Sequence, residues 1–327
     1  MTRKIKVTQF GLGPIGIECL KLLALQDWMR IVGVVEIDQQ KAEKQLGALP
    51  RSQSLRGLRS AKSIELLRET PDLVFHTTVS SFRTAYEQLV PIVRRGINVV
   101  SSCEELVFPR LREPQLAAAL HELCRKSGAR VVATGVNPGF VMDLLPLCLS
   151  TVSQGIKAIH VQRVVDASTR RESLQRKIGS GMEPKVFTRL LNAGMAGHAG
   201  LKESAALVAY SLCGSAGDIR ASGEAITASR DIRTRHLRVS KGQTCGLHQR
   251  AEVRVKGQLH VTLDLKMYLG APDPHDAIQI RGNPPIDLKI TGGIAGDQAT
   301  VAALLSTAPR LLRAQPGLKL LSELSIV

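Results

Sequence analysis

Three short segments of this 327-residue chain combine residue types and spacings that can do chemistry. The first is Gly11-Leu12-Gly13-Pro14-Ile15-Gly16. Gly11 permits a tight turn, Gly13 lets backbone approach a pyrophosphate, and Gly16 lets a helix pack close to the strand before it. The turn, with Pro14 and Ile15 inside it, opens a helix whose first amides and partial positive charge face phosphate. Glu36 follows about 20 positions later, the spacing expected for a carboxylate on an adenosine ribose. Together these residues predict a nicotinamide dinucleotide site. Glu36 and Asp38 favour ribose hydroxyls over a 2′-phosphate, but Lys41, Arg51 and Arg56 follow and can hold such a phosphate. NADH and NADPH therefore both stay open as cofactors.

The second segment is Ser101-Ser102-Cys103-Glu104-Glu105-Leu106, directly after the strand pattern Asn98–Val100. Ligands of a parallel sheet sit outside the carboxyl ends of its strands, so two carboxylates here are candidates for acid–base work. Ser102 and Glu105 have capping-box spacing, which predicts that the Glu105 side chain reaches back to its own turn. Glu104 is then the catalytic candidate, with a helix-dipole acid as the plainer alternative. The third segment, Thr134 to Phe140, is expected to floor a cleft beside the nicotinamide. There Asn137 either bonds the carboxamide or forms a turn before Pro138, and Phe140 is a candidate substrate contact.

Weaker signals surround these. Thr77 and Thr78 end another strand and are expected to border the cofactor, while His76 reads as a satisfied local histidine rather than a proton donor. Two candidate substrate contacts lie further along. His198 either faces the cleft or serves local packing or helix capping. Arg163 either binds an acidic tail or is a solvated surface arginine. With no H-E-x-x-H, clustered Asp/His set or G-x-S-x-G, neither a metal site nor a serine nucleophile is expected.

The elements that must position these residues are legible as patterns. Residues 4–10 alternate like a strand, Ile17–Leu25 has helical apolar spacing, and Ile31–Ile37 is a β-branched run typical of a strand covered on both faces. Strands at Leu73–Phe75, Asn98–Val100 and Arg130–Ala133 alternate with helices at Ser63–Arg68, Phe82–Arg94 and Pro114–Ser127. Strand–helix alternation predicts an α/β fold, a Rossmann doubly wound parallel sheet with right-handed crossovers. After Asp143 the rhythm changes. A long strand at Ile156–Val165 and helices at Pro184–Asn192 and Leu201–Leu212 precede strands at Arg235–Val239, Glu252–Val255, Leu259–Tyr268, Ala277–Ile280 and Ile286–Ile290. That succession predicts a second, α+β domain with a mostly antiparallel sheet. The expected division is 1–143 for the dinucleotide domain, 144–295 for a substrate and dimerisation domain, and 296–327 for a helix returning to the first.

Composition narrows the function classes. Hydrophobic residues are 44% and charged residues 22%, the balance of a folded chain rather than a disordered one. Lys and Arg number 44 against 28 Asp and Glu, a net of +16 that raises the question of nucleic acid. Aromatics are only 3%, so base stacking has few platforms, and no nucleic-acid partner is expected. The six cysteines are scattered without a C-x-x-C pair, which argues against zinc and a disulfide framework. No apolar run is long enough for a membrane helix, and no secretory core is visible, so a cytoplasmic location with no membrane partner is expected.

The combination resembles the dihydrodipicolinate reductase-like oxidoreductases, and within them the 2,4-diaminopentanoate dehydrogenase and native amine dehydrogenase group. The resemblance rests on the Gly11–Gly16 turn, Ser102–Leu106, Thr134–Phe140 with Asp143, Gly197–Ser204 and Gly292–Thr300. Pro309 and Pro316-Gly317-Leu318 also match. Dihydrodipicolinate reductase itself is excluded, because its histidine-rich signature with a catalytic Lys is replaced by Val164–Ser173. The resemblance implies that Glu104 is the catalytic carboxylate. It also implies a pyridine-nucleotide cofactor, a homodimer, and reversible reductive amination of a small carbonyl compound with ammonia. Ala199 and Ser102 depart from the bulkier residue and the Thr usual in the group. Two other readings are a reductase of a small substrate without C–N chemistry, and a non-catalytic nucleotide-binding regulator.

Overall fold

A computed structural model of the chain describes residues 3–49, 53–255, 257 and 259–325. It divides into two units, Met1–Phe140 with Ala295–Val327, and Val141–Ile294.

The first unit begins with β1 (Ile5–Phe10), α1 (Pro14–Leu23), β2 (Met29–Val35), α2 (Gln39–Gly47), β3 (Ser60–Ala61) and β4 (Leu73–His76). It continues through α3 (Phe82–Arg94), β5 (Asn98–Ser101), α4 (Pro114–Ser127) and β6 (Arg130–Ala133). The run Leu73-Val74-Phe75 is completely buried, as expected of a central strand with helices on both faces. Pro14 occupies the first turn of α1, where its missing amide costs nothing. Gly128 ends α4 in the left-handed conformation at φ 76°, which glycine adopts without a Cβ clash.

The second unit holds α5 (Leu144–Ser150), β7 (Gln154–Asp166), α6 (Glu172–Lys177), α7 (Pro184–Asn192), α8 (Leu201–Cys213) and β8 (Asp218–Thr227). Strands β9 (Ile232–Arg233), β10 (Arg238–Val239), β11 (Thr244–Val255), β12 (Leu259–Tyr268), β13 (His275–Asn283) and β14 (Ile286–Thr291) follow. Its six-stranded sheet has the order β14-β13-β7-β12-β11-β8. All pairs are antiparallel except β7 with β12, so the sheet is mostly antiparallel as expected. Leu247, Ala251, Val253, Val261, Leu263 and Leu265 are fully buried on one face. The alternate positions carry His248, Arg250, Glu252, His260 and Lys266. Asp143 caps α5 by accepting from Leu144 N at 2.6 Å, and also accepts from Ser204 Oγ of α8 at 2.7 Å, pinning the two helices together.

The chain then completes the first unit with α9 (Gly296–Arg313) and β15 (Gly317–Lys319). The resulting sheet is entirely parallel in the order β15-β6-β5-β4-β1-β2-β3. Strand order reverses between β1 and β4, the point where such sheets open a ligand crevice. Register lines up the carboxyl ends: Phe10 pairs with Val35 and with His76, His76 with Ser101, and Ser101 with Ala133. The three chemical segments therefore leave the sheet from one edge.

Some expectations are corrected. Ser63–Arg68 forms only a 3-10 turn at Ile64–Leu66. The second strand stops at Val35, and Ile37 is 75% exposed. Arg235–Val239 contributes only the two-residue β10.

Candidate functional site

The glycine turn is shaped by close backbone approaches. Gly11 N donates to Val35 O at 2.8 Å, and Gly11 has φ +91°, so a side chain there is strained and would also meet Thr77 O at 2.8 Å. A Cβ on Gly16 would come 2.0 Å from Gly11 O, so only glycine lets α1 start this close to the turn. A Cβ on Gly13 would meet nothing within 4 Å, so this side of the turn is open and leaves room for a pyrophosphate against the backbone. Pro14 and Ile15 open α1, and its first turn has no acidic residue to compete for the helix charge. These residues fit a dinucleotide phosphate.

The turn is braced by a residue the motif does not include. Gln9 Nε2 donates to Gly11 O at 3.0 Å and to Thr77 Oγ1 at 2.7 Å. Thr77 Oγ1 donates in turn to Gly11 O at 3.3 Å. The Thr77 hydroxyl thus supports the turn itself, a role its position alone did not reveal.

At the end of β2, Glu36 is buried and its Oε2 accepts from Leu12 N at 2.9 Å and from Lys41 Nζ at 2.8 Å. Burial alone would raise the Glu36 carboxyl, but hydrogen bonds from Lys41, Leu12 and Asp38 outweigh it and hold it below the usual carboxylate range. Asp38 is the N-cap of α2, and its Oδ1 accepts from Lys41 N at 3.0 Å. Arg56 is exposed, and Arg51 lies outside the described residues.

After β5 the two glutamates part company. Glu105 does not form the expected capping box. Its Oε2 accepts from Phe82 N at 2.9 Å, at the start of α3, and its Oε1 pairs with Arg112 at 3.2 Å. The segment Glu104–Val107 is a 3-10 turn whose N-cap position is Cys103 rather than Ser102, so Ser102 and Glu105 are out of capping-box register. The neighbouring Glu104 carboxylate is half-buried and has no hydrogen bond or ion pair among the described residues. Ser101 Oγ accepts from Cys103 N at 3.1 Å and fixes the turn that carries Glu104.

His76 is fully buried, with Nδ1 2.9 Å from Ser101 Oγ and Nε2 2.7 Å from Gln88 Oε1. Thr78 Oγ1 joins this network, 2.9 Å from His76 Nε2, while donating to Gln88 Oε1 at 2.6 Å. Burial pushes the imidazole down to about 4, against the hydrogen bond to Gln88. His76 is thus a neutral structural histidine. Between pH 6.5 and 4 the unfolded chain binds the extra proton, so this group's contribution to stability is complete above pH 6.5 and falls as pH drops through the window. We expect it to cost about 2 kcal/mol between pH 7 and pH 5. Urea unfolding of the wild type and of His76→Gln at both pH values checks this; the variant should lose that part of the acid sensitivity.

The third segment leaves β6 as Thr134-Gly135-Val136-Asn137, with a cis bond before Pro138. Thr300 of α9 accepts from Val136 N at 3.3 Å, which ties this loop to the returning helix. Asn137 is buried within the loop and Phe140 is half-buried at its end. In the second unit, His198 N donates to Gln249 Oε1 at 2.7 Å just before α8.

Arg163 is a correction. It is neither a substrate clamp nor a solvated arginine: its side chain is 4% exposed and pairs at 2.7 Å with Asp276, which is 1% exposed. Its other nitrogen donates to Ile294 O at 2.6 Å, and Asp276 also accepts from Ile294 N at 2.7 Å. The guanidinium is occupied inside the sheet.

Comparison with known proteins adds independent observations. The family model of the 2,4-diaminopentanoate dehydrogenase C-terminal domain matches residues 140–327. A 2,4-diaminopentanoate dehydrogenase from Acetoanaerobium sticklandii is 27% identical over 331 residues, covering 99% of this chain and 94% of the relative. Among solved structures, an amine dehydrogenase from Mycobacterium smegmatis superposes with TM-score 0.82 at 19% identity, covering 99% of this chain and 97% of that one. The WlbA dehydrogenase from Bordetella pertussis, solved with NADH and UDP-GlcNAcA, gives TM-score 0.53 at 15% identity over 94% and 84% of the two chains. At those identities the two structures speak for the fold.

Proposed function

We propose that this chain, which belongs to the 2,4-diaminopentanoate dehydrogenase family by its match over residues 140–327, is an NAD(P)H-dependent amine dehydrogenase. It joins a small ketone or aldehyde to ammonia, and in reverse deaminates an amine or diamino acid. Carbonyl compound, ammonium, reduced dinucleotide and one proton give protonated amine, oxidised dinucleotide and water.

The observation that carries the reading is the Glu104 carboxylate. It is half-buried at the carboxyl edge of the dinucleotide sheet, and its charge is not spent on a partner among the described residues. Its neighbour Glu105 is spent on Phe82 N and Arg112. An ionised Glu104 takes a proton from ammonium, releasing ammonia to attack the carbonyl carbon. It returns a proton to the hydroxyl that leaves as water. The iminium that results is cationic, and the same carboxylate stabilises it electrostatically. The nicotinamide, when bound, supplies the hydride. Gly11, Gly13, Pro14, Ile15 and Gly16 hold the pyrophosphate, Glu36 and its neighbours hold the ribose end, and Thr77, Thr78 and Asn137 border the cofactor. Phe140 remains a candidate substrate contact.

Two copies form the working assembly in this reading. A cytoplasmic setting supplies both reduced dinucleotide and ammonium, and six free cysteines suit a reducing compartment.

The test is loss of nicotinamide absorbance with a panel of ketones, aldehydes and diamino acids, with and without ammonium. Oxidation of NADH or NADPH that depends on both carbonyl compound and ammonium is expected. Equal rates without ammonium would assign the chain to C–O or C=C reduction, and no turnover with any substrate would favour a nucleotide-sensing regulator.

A further inference from the structure

The ribose end of the cradle carries a charge arrangement that a lone acid at the end of β2 does not have. The Glu36 side chain is only 7% exposed, whereas that of its partner Lys41 is 39% exposed. The carboxylate is spent inward, on Leu12 N at 2.9 Å, on Asp38 N at 3.3 Å and on the Lys41 ammonium at 2.8 Å. Lys41 is itself placed by the Asp38 cap, which accepts from its amide at 3.0 Å. Gln39 adds a brace, accepting from Ser60 Oγ of β3 at 3.0 Å and donating to Glu36 O. The group presented outward at this corner is therefore the cation.

A bare carboxylate at this position repels a 2′-phosphate, and that repulsion is the usual basis for choosing NAD over NADP. Here the carboxylate is already neutralised by an ammonium in contact with it, and the ammonium has further donors to offer. We propose that Lys41 is the specificity-determining residue for the cofactor: clamped on Glu36, it cancels the repulsion and holds the 2′-phosphate, so the chain binds NADP(H) as well as NAD(H). This rests on the dinucleotide lying along the Gly11–Gly16 turn.

The experiment measures dissociation constants of NADPH and NADH by nicotinamide fluorescence, without substrate, for the wild type, Lys41→Ala and Lys41→Arg. Wild-type constants for the two dinucleotides are expected to agree within about tenfold. The ratio of the NADPH constant to the NADH constant should rise about tenfold or more in Lys41→Ala and return toward the wild-type value in Lys41→Arg. Added salt should weaken NADPH more steeply than NADH in the wild type and not in Lys41→Ala. A ratio that Lys41→Ala leaves unmoved, with both affinities falling together, would reduce Lys41 to a brace for the turn and overturn the proposal. A wild type that prefers NADH by more than about a hundredfold would also overturn it. Failure of the wild type to bind either dinucleotide is a different result, and would remove the underlying placement of the cofactor.

Discussion

Glu104→Ala is expected to lower turnover about a hundredfold or more while changing the dissociation constant of NADPH or NADH by less than about threefold. The separation follows from placement. Glu104 begins the turn after β5, whereas the phosphate cradle is built by Gly11 to Gly16 after β1 and is braced by Gln9 and Thr77. None of the hydrogen bonds that shape the cradle involves Glu104. Glu104→Gln keeps the shape and removes the charge, so it should fail as well, because neither proton transfer nor stabilisation of a cationic iminium survives. Single-turnover rates and cofactor titrations on both variants make the comparison. Activity above a tenth of wild type in either would take Glu104 out of the mechanism. As a control, Glu105→Gln should act mainly through stability, since Glu105 holds the start of α3 and Arg112.

Arg163→Met should be the most destabilising substitution considered. It removes one member of an ion pair whose two side chains are 4% and 1% exposed, and leaves Asp276 buried without its counter-charge. Breaking such a pair from one side costs about 3–5 kcal/mol. The double variant Arg163→Met, Asp276→Leu should recover part of this loss, because the stranded carboxylate goes with it. Urea midpoints of the two variants decide the matter. If Arg163 instead held an acidic substrate tail, the single variant would unfold like the wild type and show only a raised KM.

What the sequence disclosed depended on how local the physical cause was. The Gly11–Gly16 turn was legible because its glycines serve backbone geometry within six residues, and the structure confirms it at Gly16, where a Cβ has no room. β4 was legible because Leu73-Val74-Phe75 is apolar on both faces. Arg163 was misread because its partner Asp276 comes from β13, more than a hundred residues on, and becomes its neighbour only through sheet register. Glu105 was misread for the same reason: the spacing to Ser102 suggested a local cap, but Phe82 N, brought near by α3, is the better donor. β3 and β15 went unseen because two or three residues carry no periodicity. The parallel pairing of β7 with β12 was equally hidden, since strand direction depends on the path of the chain between them.

The return of α9 and β15 makes the first unit discontinuous, with Val141–Ile294 inserted between its parts. Gly317–Lys319 completes the sheet by pairing with Arg130–Val132. On the ribosome, β6 therefore emerges long before its outer neighbour exists, and its edge stays open while the entire inserted unit is synthesised. An open parallel edge is a template for wrong partners. Nascent chains should depend on chaperones most during that interval, and should be released from them only when the last strand arrives.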